Sequence, residues 1–506
     1  MKAQNQYIKL KNGSPILTAD IPVLSYNDFR VQTIKLLLDF DKAHCSNYFA
    51  IPKGIGFQLI VIIAADVNHD FLVFSHQLLS IETALESLTQ DHFAFHIFER
   101  EIHENFNIQF LNHPWLKPVR FAHNRADQSK QIANYPFYHF DSTEMHEVSV
   151  GPIHAGIIEP GHFKFSCHGE TVKHLEIQLG WQHRGIETLM LHKKTDLQRT
   201  LLAESITADS AIAHTLAFVT AMESLSQIKV DANLNLERTI ALELERLAIH
   251  TGDLCGMCTD VAYQLGSSVF NALRTPIINF TQRWCGNRFG KGLIRIGGTH
   301  YPLNEGLKSD LILVLNEFES RFVEMAEKTF NIPSVIKRFD GIGIISKINV
   351  GLLGCVGMVA KTVGYKRDIR LSHPFGYYKT VEFEPKTCIS GDVMARGFLR
   401  YQEALQSIQL IKTMLELHKS ELVSSKPDYK VVLNPNSICV SATEGWRGEI
   451  IHTALTDQNG QLEWYKIKDP SMHNWKALEL SLRNIEISDF PINNKSYDLS
   501  YSGHDL

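Results

Sequence analysis

The stretch LNLERTIALELERLAIHTGDLCGMC, residues 234–258, limits what this chain can become more than any other part of it. Ile240, Leu244 and Leu247 share one helical face, while Glu243, Glu245 and Arg246 fall mostly off it. A long helix with such a stripe has to bury it against other helices. Two further runs supply them: ITADSAIAHTLAFVTAMESL (206–225) and GDVMARGFLRYQEALQSIQLIKTMLELHKS (391–420). The second starts at Gly391 and Asp392 and keeps its period for about seven turns. Helices therefore dominate from Leu175 onward and form a bundle-like core. After Tyr429 the pattern changes to alternating strands around Asn459-Gly460, a strong hairpin signal.

At 506 residues the chain is too long for one core and makes about two to four domains. A net charge of -5 leaves no basic stripe for nucleic acid, so no nucleic-acid partner is expected. The N-terminal MKAQNQYIKLKNGSP lacks the apolar core of a secretory signal, and the most apolar stretch, 341–360, is broken by Lys347 and Asn349. Membrane attachment is expected to come through partner proteins. The eight cysteines are mostly isolated and suit a reducing compartment. Only Cys255 and Cys258 have metal-like spacing, and one pair supplies two of four ligands; they are packing thiols or a metal or redox pair.

Residues 12–120 make a small α+β unit. GFQLIVIIAA (56–65) is an apolar run rich in β-branched residues, which predicts a buried strand. LSIETALESL (79–88) predicts a helix with Ser80 and Glu82 as capping candidates. HFAFHIF (92–98) reads as an aromatic strand running into a charged helical turn, Glu99–Asn105, and a loop with His113, Pro114 and Trp115. Those charges make either a solvated face or a partner-docking surface. The polar, turn-rich 121–146 segment is the expected linker.

Chemistry concentrates between Val148 and Met190. Glu159 lies in the loop GPIHAGIIEPG with His154, beside Ile157 and Ile158; an apolar setting would raise its pKa and suit it to passing protons. A carboxylate before Pro is also a common turn former. His162–Phe165 alternate as in a strand, and His183 and Arg184 are expected on a helix. No P-loop, nucleophile elbow, HExxH or paired zinc motif appears.

FEREIHENFNIQFLNHPWLKPVRF resembles the signature of the 30 kDa subunit of respiratory complex I. GPIHAGIIEPGHFKF, LGWQHRGIE, ALELERLAIHTGDLCGMCTDVAY, GDVMARGFLRYQEA and RGEIIHTALTDQNGQLEWYKIKDPSMHNWKALE resemble successive blocks of its 49 kDa subunit and of the large subunit of group 4 membrane-bound nickel-iron hydrogenases such as formate hydrogenlyase. The resemblance implies an α+β chain with a 30 kDa-like domain over 1–120 and a linker over 121–146. A mainly helical domain like the hydrogenase large subunit would follow over 147–506, with small β elements near its start and C-terminus.

In such hydrogenases four thiolates hold nickel and iron. The resemblance puts those positions on Thr207, Ser210, Ser500 and Gly503, so the metal ligands are lost and hydrogenase activity is not expected. The quinone-binding positions of the complex I relatives fall on Ile158 and Ala208, although His154 and His214 remain nearby. Glu159 matches a proton-relaying glutamate, and His183 and Arg184 match a block facing the iron-sulfur cluster of a partner. The implied protein is an oxidoreductase-complex subunit that binds no cofactor itself. It would sit peripherally on the cytoplasmic face of the inner membrane, with a small iron-sulfur subunit and antiporter-like and quinone-module membrane subunits, and couple electron transfer to ion translocation. The alternatives are a quinone-reducing NADH dehydrogenase-type subunit with an altered quinone site, in which His154 also acts, and a non-catalytic structural adaptor.

Overall fold

A computed structural model describes residues 6–39, 42–80, 83–156, 158–420 and 425–506. The Gly56–Ala65 strand lies inside an antiparallel sheet between Ala43–Lys53 and Asp70–Leu78, with Ile8–Leu10 beyond the latter and Val23–Leu24 parallel to it. Its unbroken apolar run follows from burial on both faces. Ile60, Ile62 and Ala64 face the main core, while Leu59, Val61 and Ile63 face a second core with Phe29, Phe74 and Phe98. Each such fully buried side chain contributes about 1.5–3 kcal/mol.

The N-terminal segment also contributes a strand to a second sheet. Pro15–Leu17 extends the sheet formed by Ser437–Glu444, Glu449–Thr456 and Leu462–Lys468, with Ile438 opposite Ile16. The turn containing Asn459-Gly460 joins the last two strands, as expected from the sequence, with Gly460 at φ +71°. A third sheet pairs His146–Val150, His162–His168 and Thr171–Gln178.

The Ala232–Asp260 helix is the bundle's axis, packed on Gln264–Cys285, Val393–Leu417 and Ala211–Leu225. Asp231 accepts from Leu234 N at 2.8 Å to start it, and Asp392 does the same for the Val393–Leu417 helix through Ala395 N. Glu245, off the apolar stripe, accepts from Ile212 N and Ala213 N and so caps the neighbouring Ala211–Leu225 helix. Cys258 is buried in this bundle, and burial pushes its thiol up to about 12. Among the described residues no three His, Cys, Asp or Glu side chains group as a metal site, and no helix is long and apolar enough to cross a membrane.

Three local expectations fail. Within 79–88, Leu85–Glu86 is a strand paired in parallel with Phe110–Leu111, and Ser80 starts no helix; Glu82 lies outside the described residues. The aromatic stretch 92–98 is helical, a 3-10 turn at Phe93–Phe95 running into the His96–Phe106 helix. The charges on that helix are not solvated: Glu99, Arg100, Glu101 and Glu104 are all buried. Glu99 accepts from Ser87 Oγ, Thr89 Oγ1, Leu88 N and Thr89 N, while burial pushes its carboxyl up to about 7. Tertiary partners outweigh the local pattern here, because a paired buried charge escapes the cost of an unpaired one.

Candidate functional site

The loop at 151–161, the turn at 180–186, the Thr207–Ser210 turn and the last residues of the chain meet. Ser502 N donates to Glu159 Oε2 at 3.3 Å. Arg184 Nη1 and Nη2 donate to Ser205 O (2.6 Å) and Ile206 O (2.7 Å), and its charge lies close enough to Glu159 to feel it. Burial lowers the Arg184 pKa, and Glu159 and Asp505 oppose that. His183 donates from Nδ1 to Asp505 O at 2.8 Å. His183 and Arg184 are not helical; they form the turn ahead of the Ile186–His192 helix, and Arg184 N and Gly185 N donate to Leu506 O. Gly185 takes φ +69° at the helix start, a left-handed conformation that suits glycine and keeps the helix from extending back through His183 and Arg184.

The loop around Glu159 is open rather than apolar. Ile153 is 82 % and Ile158 44 % exposed, so the enclosure expected of this carboxylate is missing. His154 is engaged locally: its Nε2 donates to Gly161 O at 2.8 Å, with the ring edge-on to Phe163.

Of the four positions that the resemblance puts in place of thiolate ligands, Thr207, Ser500 and Gly503 lie together with Ser210 three residues on from Thr207, and hydroxyls and a glycine do not fit a nickel-iron centre. The Thr207 hydroxyl is buried without a hydrogen-bond partner. Ser210 precedes the Ala211–Leu225 helix without capping it through its side chain. Ser500 Oγ accepts from Gly503 N at 2.8 Å. A Cβ built on Gly503 would stand 2.6 Å from Asp469 Cγ, 2.7 Å from Asp469 Oδ2 and 2.8 Å from Thr207 Cγ2. Hard, neutral hydroxyls and a glycine replace soft thiolates, and Asp469 takes the space a fourth side chain would need.

Asp469 is well held there. His214 Nε2 lies 3.1 Å from Asp469 Oδ2, Ser471 N donates to Oδ1 at 2.7 Å, and Ser471 Oγ accepts from Ser500 N at 2.9 Å. Burial opposes the Asp469 charge, but His214 and Arg447 hold its carboxyl below the usual carboxylate range. Behind His214, His452 Nε2 lies 3.1 Å from His214 Nδ1, and His452 Nδ1 lies 2.7 Å from Tyr465 OH. Arg447 grips Asp209 with two 2.7 Å bonds and donates to Asp498 O at 2.5 Å, clamping the 207–210 turn to the chain's end. Sequence reasoning passed over Arg447, Asp209 and Asp469.

A cavity of about 280 Å³ opens beside His183, walled by Phe106, Trp464 and Leu191 and floored by Glu101, Arg120 and Glu187. Glu101 pairs with Arg120 and Lys466, and Lys466 reaches Glu187 at 3.1 Å. The floor is therefore a closed set of ion pairs.

Residues 260–438 match the model of the respiratory-chain NADH dehydrogenase 49 kDa subunit. The carbon monoxide-induced hydrogenase of Rhodospirillum rubrum is 30% identical over 353 residues, 69% of this chain and 96% of that one. Hydrogenase-4 component G of Escherichia coli (strain K12) is 26% identical over 77% of this chain and 67% of its own length. An NADH-quinone oxidoreductase subunit of Clostridium beijerinckii is 27% identical over 66% of this chain and 89% of its own. The chain belongs to the family that unites the 49 kDa subunit of respiratory-chain NADH dehydrogenase with the large subunits of group 4 membrane-bound hydrogenases.

Proposed function

We propose that this chain is the large peripheral subunit of a membrane-bound complex that has kept the hydrogenase scaffold and given up its nickel-iron centre. Residues 1–120 would serve as the 30 kDa-like docking module, joined through 121–146 to the large-subunit module at 147–506. A small iron-sulfur subunit would sit against His183 and Arg184. Antiporter-like and quinone-module membrane subunits would lie below it on the cytoplasmic face, with electron transfer coupled to ion movement. The observation that carries the reading is the space at Gly503, which Asp469 fills.

Glu159 is the residue we assign to proton passage at the rim. Its loop presents Ile153 and Ile158 to the outside, and exposed apolar groups beside a functional carboxylate suit burial under a partner subunit. The test is to purify the tagged chain from membranes and measure ion movement in vesicles. Iron-sulfur and membrane subunits should accompany it, and Glu159→Gln should lower ion movement without dissociating them. Recovery of the chain alone contradicts the assembly. Full ion movement in the Glu159→Gln complex leaves the structural-adaptor reading instead.

The cavity beside His183, with its aromatic walls, favours one alternative, a quinone-reducing subunit with altered contacts. Quinone-dependent redox activity abolished by His183→Ala, at a residue that lines the cavity, as well as by His154→Ala or Glu159→Gln would support it.

A further inference from the structure

The Ala43–Lys53 strand edges the N-terminal sheet and lies against the C-terminal sheet, where Lys468 Nζ donates to Cys45 O at 3.4 Å and Asn47 Nδ2 to Thr453 Oγ1 at 3.4 Å. Along this seam His44 stands between two carboxylates. His44 Nε2 is 2.6 Å from Glu449 Oε2, and His44 Nδ1 is 3.7 Å from Asp66 Oδ2. All three are buried: His44 is 4 %, Glu449 1 % and Asp66 7 % exposed.

The hydrogen count follows from the chemistry. Burial opposes the charge on Glu449, but Lys468 Nζ at 2.8 Å and His44 hold its carboxyl far below the usual range. A carboxylate only accepts, so His44 Nε2 carries a hydrogen. In a neutral imidazole the other nitrogen is then a bare lone pair, and it points at Asp66. A bare nitrogen and a carboxylate facing each other in a buried site repel, so the pair needs one proton between them. Asp66 Oδ1 and Oδ2, His44 Nδ1 and Arg367 Nε all lack a hydrogen-bond partner of ordinary geometry.

Their neighbours set the balance. Arg367 Nε and His373 Nδ1 each lie 3.8 Å from Asp66, the Ser372 hydroxyl favours its ionised form, and Glu444 and Glu449 oppose it. Burial is the largest influence and pushes Asp66 up to about 7. On His44, burial and the charges of Arg367 and Lys468 outweigh Glu449 and bring it down to about 4. His473 is a further titratable neighbour, brought down to about 3 by burial and Lys468, and the buried Cys45 and Cys355 thiols nearby are pushed up by burial.

We propose that Asp66 and His44 form a buried proton-binding site in the seam between the N-terminal and C-terminal sheets, with Glu449 and Lys468 as its fixed counter-pair. The ligand is a single proton taken from water at the Asp66 edge. Bound, it sits on Asp66 as an O–H facing His44 Nδ1 across a 3.7 Å gap, which a small side-chain shift closes to a donated hydrogen bond. It can pass to the ring by breaking that O–H bond and forming Nδ1–H, which leaves an Asp66 carboxylate and an imidazolium between two anions. Released to hydroxide, it leaves two opposed acceptors and a weaker seam. The site does not depend on which assembly the chain joins.

The test is nitrogen NMR of the full chain carrying ¹⁵N-histidine, with His44→Gln used to assign the signal. Between about pH 6 and about pH 9, spanning the ordinary titration range of histidine and a raised carboxyl, the His44 Nδ1 signal should move from a hydrogen-bonded to a bare nitrogen. Asp66→Asn, whose amide can donate to Nδ1 at every pH, should abolish that movement. Hydrogen exchange in Ala43–Lys53, corrected for its intrinsic pH dependence, should quicken several-fold over the same range in the wild type and not in Asp66→Asn. A bare Nδ1 at all pH values in the wild type, or an unchanged pH response in Asp66→Asn, overturns the proposal. If Asp66→Asn fails to fold, the wild-type Nδ1 signal alone decides.

Discussion

The centre of the site and its rim have diverged. At the centre, His214 and Ser471 hold Asp469, Ser471 holds Ser500, Arg447 clamps Asp209 to Asp498, and Gly503 leaves no room for a side chain, with the Thr207 hydroxyl the one group named there that lacks a partner. At the rim, Glu159 makes one long hydrogen bond, and Ile153 and Ile158 lie open. Buried polar groups with all partners in place rigidify a fold, whereas exposed apolar groups are the usual mark of a surface a partner covers. The contrast locates stability at the centre and interaction at the rim.

Several substitutions can break that contrast. Arg447→Ala should have the largest effect, costing about 2–3 kcal/mol in urea unfolding, because it leaves the half-buried Asp209 carboxylate and Asp498 carbonyl without their donor. Gly503→Ala should cost about 1–3 kcal/mol by overpacking Asp469 and Thr207, and a neutral result would mean the centre is looser than described. Away from both regions, Glu99 gives a pH signature. Its folded pKa lies above the unfolded value, so the stability it brings is complete in acid and lost as pH rises through about 7. The wild type should lose about 1 kcal/mol between about pH 6 and about pH 8, and Glu99→Gln should lose less. Smallest in stability should be Ile158→Asp, within about 0.5 kcal/mol in the isolated chain. In membrane purifications that same variant should reduce the recovery of companion subunits.

How much was legible in advance depended on how local each cause is. The long helices, the 56–65 strand and the Asn459-Gly460 hairpin depend on period and turn chemistry within a few residues, and they stand where the pattern placed them. The 92–98 stretch did not, because aromatic residues at helical spacing also alternate well enough to imitate a strand. The buried charges at Glu101 and Glu104 were unreadable for another reason: Lys466, a partner of Glu101, lies far along the chain. The convergence of Thr207 with Gly503 emerges only through resemblance to the family and then through geometry. Asp469 had no signal of its own, since its meaning comes from the missing side chain at Gly503. The openness of the Glu159 loop was likewise hidden, because an isoleucine beside the carboxylate reads as a buried environment, whereas Ile158 is exposed.

The most direct measurement is the nickel content of the complex purified under anaerobic conditions from cells supplied with nickel. The account predicts only trace, substoichiometric nickel, unchanged when Thr207→Cys, Ser210→Cys, Ser500→Cys and Gly503→Cys are combined while Asp469 is kept. Stoichiometric nickel in the wild-type complex would contradict it.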